Sequence, residues 1–68
     1  MNKQYSRWIT LDNTTDVNKD IAQWVDKCLE EFWNGSFTNR KELARLQTIT
    51  AIPCGDKVSV FAMFEIDT

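Results

Sequence analysis

The chain has 68 residues, eight Lys and Arg against ten Asp and Glu, and a formal net charge of −2. That is a single domain, 1–68, and its acid excess argues against a duplex-binding module, which normally presents a basic face. Histidine is absent, which removes the commonest general base and the commonest zinc ligand together.

Residues 5–11 read as a first strand. Tyr5, Arg7, Ile9 and Leu11 point one way, and Ser6, Trp8 and Thr10 the other. Asp12-Asn13-Thr14-Thr15-Asp16 is a cluster of capping residues. It opens a helix that runs to about Trp33. Val17, Ile21, Trp24, Val25, Cys28, Leu29 and Phe32 recur there at three- and four-residue steps. Asn34-Gly35 supplies its stop. Residues 36–43 read either as a short helical turn, with Asn39 and Glu42 as a weak capping pair, or as a loop carrying Phe37 and Leu43 onto the core.

A second strand covers 45–52, where Leu46, Thr48, Thr50 and Ile52 alternate with Gln47, Ile49 and Ala51. Pro53-Cys54-Gly55-Asp56 reads as a turn. The third strand, 57–66, pairs antiparallel with the second as a hairpin. The expected fold class is α+β in β-α-β-β order. A three-stranded sheet, antiparallel or mixed, carries one long amphipathic helix on one face. The first and third strands should be neighbours, with the last strand central.

Few side chains suggest chemistry. Asp12 and Asp16 are explained by capping and by the positive end of the helix. Glu30 and Glu31 stand at the negative end, where acids are unfavourable by roughly a few tenths of a kcal/mol each. They read as an acidic patch for a basic partner, or as a solvated pair offset by Lys27 or Arg40. Cys54 lies in a turn near Lys57, but without histidine as base it is not expected to be a nucleophile. Cys28 falls on the apolar stripe and reads as core. Gly35 and Gly55 are isolated, so no phosphate-binding loop is expected. The cysteines and scattered acids do not suggest a metal site. Arg40, Lys41 and Arg45 near Phe37 are too short a cluster to make nucleic acid the expected ligand. The chain is expected to be no enzyme and to need no cofactor. No secretory signal or long apolar run is seen, so it is expected to stay in the cytoplasm, off the membrane.

The most informative feature is the last strand. Val58, Val60, Ala62, Phe64 and Ile66 alternate on one face, while Phe61 and Met63 stand on the other. A strand apolar on both faces needs cover on both, and one helix covers one. Trp8, Phe61 and Met63 are left on the second face, either covered by 36–43 or forming an interface.

The element order, the length and the apolar last strand resemble the dodecins, small flavin-binding oligomers. Here Asp12-Asn13-Thr14-Thr15 replaces a Gly-Ser/Thr-rich link, and no aromatic stands at 45–52, where a flavin-stacking ring would fall. No binding residues carry over. The expected function is a small non-enzymatic protein-interaction module, such as a phage- or mobile-element-type inhibitor of a larger host protein. It would act through a sheet-face patch of Trp8, Phe61 and Met63, with Glu30 and Glu31 adding specificity, or as a homo-oligomer. The alternative is an oligomer that stacks a planar small molecule on its tryptophans.

Overall fold

The computed structural model describes residues 2–34 and 44–67. Its elements are β1 (Asn2–Asp12), α1 (Val17–Asn34), β2 (Ala44–Cys54) and β3 (Lys57–Asp67). The strands form one sheet in the order β1-β3-β2, and both pairings are antiparallel. The last strand is central, as its apolar character on both faces predicts. The Gly35 stop and the segment 36–43, with its expected turn or loop cover, lie outside the described residues.

The step from β1 to α1 is held by polar contacts of the capping cluster. The Asn13 amide donates to the Asp56 carbonyl at 2.8 Å, tying the end of β1 to the β2–β3 turn. The Asp16 amide donates to Thr14 Oγ1 at 3.3 Å. The Asp20 amide then donates to the Asp16 carbonyl at 3.0 Å, the first bond of the helical ladder. Asp20 sits in the first turn, at the positive end of the helix dipole.

One face of β3 is buried along its length: Val58, Val60, Ala62, Phe64 and Ile66. Val25, Cys28 and Phe32 of α1 pack on Ala62, Phe64, Ile66 and Ala44. Phe32 is the pivot. Its ring centroid lies 5.3 Å from that of Phe64 and 5.7 Å from that of Tyr5. The Arg7 guanidinium carbon stands 5.0 Å from the same ring centroid, so β1 adds a cation over the aromatic core. Burying a side chain of this size stabilises by about 1.5–3 kcal/mol, and so few large residues make each one count.

Two features of β2 depart from the sequence pattern. The expected four-residue turn is tighter: Pro53 and Cys54 belong to β2, and Gly55-Asp56 alone turn the chain. Gly55 has φ of +64°, a conformation that costs about 1–2 kcal/mol for a residue with a Cβ. A β-bulge between Leu46 and Thr48 also leaves Gln47 without a partner. Leu46 opposes Phe64 and Ile49 opposes Ala62, so both share the helix side of the sheet. Thr48, Thr50 and Ile52 share the other side with Met63, Phe61 and Ser59. The simple alternation read over 45–52 therefore fails at Gln47. An extra residue inverts the faces beyond it.

A candidate protein-interaction face

The sheet face away from α1 is built row by row from the strand register. Trp8 opposes Phe61, which opposes Thr50. On one side of that row stand Ser6, Met63 and Thr48; on the other, Thr10, Ser59 and Ile52. Trp8 is 69% exposed and Phe61 50%. Their rings stack, with centroids 6.5 Å apart and planes 29° from parallel. Met63 beside them is half-buried. Ile52 continues the apolar surface onto β2 at 52% exposure.

The far end of the same face is polar. Arg45 Nη2 donates to Glu65 Oε1 at 2.7 Å, and Asn2 Nδ2 donates to the same oxygen. At the hairpin end, Lys57 pairs with Asp12, whose carboxyl is held below its ordinary value by that hydrogen bond and charge. The aromatic row is thus framed by an ion pair at each end. An apolar centre with a polar rim is the usual anatomy of a protein interface.

The structure gathers Trp8, Phe61 and Met63 on one surface. It places Glu30 and Glu31 elsewhere: both are exposed on α1, in the other layer of the fold. A single flat partner on the aromatic face does not reach them. Ile52 belongs to the face, on the side that the two-residue turn sets, and the sequence pattern did not single it out. The exposed Leu46 falls with Ile49 on the helix side, and not with Ile52, because the bulge inverts the faces beyond Gln47.

Cys28 is buried and Cys54 exposed, both as free thiols. Burial is the first cause that raises the Cys28 pKa; Glu31 adds to it and Arg7 opposes it. An open groove of about 400 Å³ runs between α1 and β1, lined by Ile9, Leu11, Asp20, Gln23, Trp24 and Lys27. Among the described residues, no cluster of acids and cysteines is arranged to hold a metal ion. No described helix is long and apolar enough to cross a membrane.

No family model, curated protein or solved structure matches this chain. The resemblance to the dodecins therefore rests on element order, length and one strand pattern.

Proposed function

We propose that this chain is a small protein-interaction module without catalytic activity, and that it docks a protein partner on the sheet face around Trp8 and Phe61. The observation that carries this reading is the exposed Trp8–Phe61 stack at the centre of a face with ion pairs at both ends. Half-exposed aromatics with little conformational entropy to lose are typical anchors of binding energy. A compact inhibitor of a larger enzyme or defence protein, of the phage or mobile-element type, is one form such a module takes.

The test compares wild-type chain with Trp8→Ser and Phe61→Ser as immobilised baits in extract of the host. The expected result is one discrete protein retained by the wild type and lost by both variants, with far-UV spectra unchanged. Retention of the same protein by both variants would remove the face from the binding surface. So would unfolding on Phe61→Ser, which would make Phe61 part of the core.

The groove beside Trp24 gives a second reading one point of support. It is large enough for part of a planar ring system and offers Asp20, Gln23 and Lys27 as polar contacts. Quenching of tryptophan fluorescence by a flavin, lost on Trp24→Phe, would favour that reading.

A further inference from the structure

We infer that the edge of β2, unpaired among the described residues, pairs antiparallel with β2 of a second copy, about a two-fold axis at Thr50, to give a continuous six-stranded sheet. The two edges of the sheet differ in kind. β1 carries Lys3, Arg7 and Asp12 along its length. β2 carries no charge from Leu46 to Cys54, and every residue from Arg45 to Cys54 is exposed. It is apolar on both faces, with Leu46 and Ile49 on the helix side and Ile52 on the other. Edge strands of this length usually carry charges, prolines or cover that block pairing. Here the bulge at Gln47 interrupts one end and Pro53 the other, leaving residues 48–52 open.

The register specifies how a second copy fits. The two-residue turn makes Cys54 and Lys57 the closing pair, whose backbone groups face each other. Hydrogen bonding alternates along an antiparallel pair, so Ile49, Ala51 and Pro53 turn their backbone groups toward the free edge. Proline has no N–H to offer. An axis at Thr50 sets Ile49 of each copy opposite Ala51 of the other, so the outward donors and acceptors of both residues are satisfied. An axis at Ala51 would set Ile49 against Pro53 and lose donors; an axis at Ile49 would run Ala51 into the bulge. The chosen register also brings Arg45 of one copy toward the turn that carries Asp56 of the other, so opposite charges meet at both ends.

This arrangement keeps both helices on the same side. It aligns one row across the opposite face: Trp8, Phe61 and Thr50 of one copy, then Thr50, Phe61 and Trp8 of the other. The two tryptophans stand five strand spacings apart, about 24 Å. The inference uses the β2 edge and not the aromatic stack, so it stands or falls apart from the proposed function.

Light scattering on a sizing column, with the full chain over a range of concentrations, tests it. The expected mass is twice that of the 7.9 kDa chain. Ile49→Lys should reduce it to a monomer, and Trp8→Ser should leave it a dimer. A synthetic chain N-methylated at Ala51 loses one outward N–H without a change of side chain, and should also be monomeric. In the wild type, the Ile49 and Ala51 amides should exchange more slowly as concentration rises. A monomer at every concentration overturns the inference, as does a mass that grows without limit. A dimer lost on Trp8→Ser but kept by the N-methylated chain overturns it too.

Discussion

Cys28 and Cys54 carry the same thiol in opposite surroundings. Cys28 lies under α1 against Phe64 and Ile66, where burial disfavours the thiolate; Cys54 closes the hairpin in water. A thiol reagent added to the native chain at neutral pH should label Cys54 at once and Cys28 only as the domain opens. Equal labelling rates would contradict the burial. The raised pKa also sets a pH dependence. The unfolded chain releases the Cys28 proton near the ordinary value of 9.0, and the folded chain releases it higher. Between those two values the folded state holds more protons, so stability falls as pH rises above about 9. Denaturant midpoints at pH 8 and pH 10 should show this decline, and Cys28→Ala should flatten it. Asp12 works in the opposite sense. Its lowered pKa favours the fold above the ordinary 3.8 and loses that effect as pH falls through the lower value.

At the level of elements, β1, α1 and β3 were legible because each repeats one period without interruption. The face assignments of Tyr5 through Leu11 and of Val58 through Ile66 follow directly from alternation, and the structure keeps them. The aromatic stack was legible for the same reason, since Trp8 and Phe61 both fall off the helix side. β2 was not. A bulge at Gln47 leaves no mark in composition: the residue is neither glycine nor proline, and its neighbours favour strand on either register. The true side of Leu46 relative to Ile49 and Ile52 therefore appears only when β2 is laid against β3. This suggests a clean perturbation. Deleting Gln47 leaves Leu46 opposite Phe64 and Thr48 opposite Met63, and makes the pairing continuous. The deletion variant should fold with the same spectrum and self-associate more strongly, because a straighter edge presents more backbone to a neighbour. Weaker association on deletion would mean that the bulge shapes the contact instead of limiting it.

At the scale of the whole molecule, the described residues form one thin core between one helix and one sheet. Nine hydrophobic residues are buried among those described, and five of them belong to β3. β1 and β2 do not pair with each other; each is joined to the sheet only through β3. A chain ended at Asp56 therefore keeps its helix-forming sequence and two of its strands but has no sheet to assemble. It should show only weak helical signal by circular dichroism; a stable sheet signal from it would show that β1 and β2 can pair directly.

The central place of β3 also orders events during synthesis. The ribosome makes β1 and α1 first and β2 next, and all of them wait for the strand that joins them. The tight Gly55 turn lets β2 close on β3 locally, while β1 must be recovered across some fifty intervening residues, the slow kind of contact to form. Until that happens, the apolar edge of β2 and the exposed aromatics are open to any passing strand. The nascent chain is thus open to misassembly until β3 is complete.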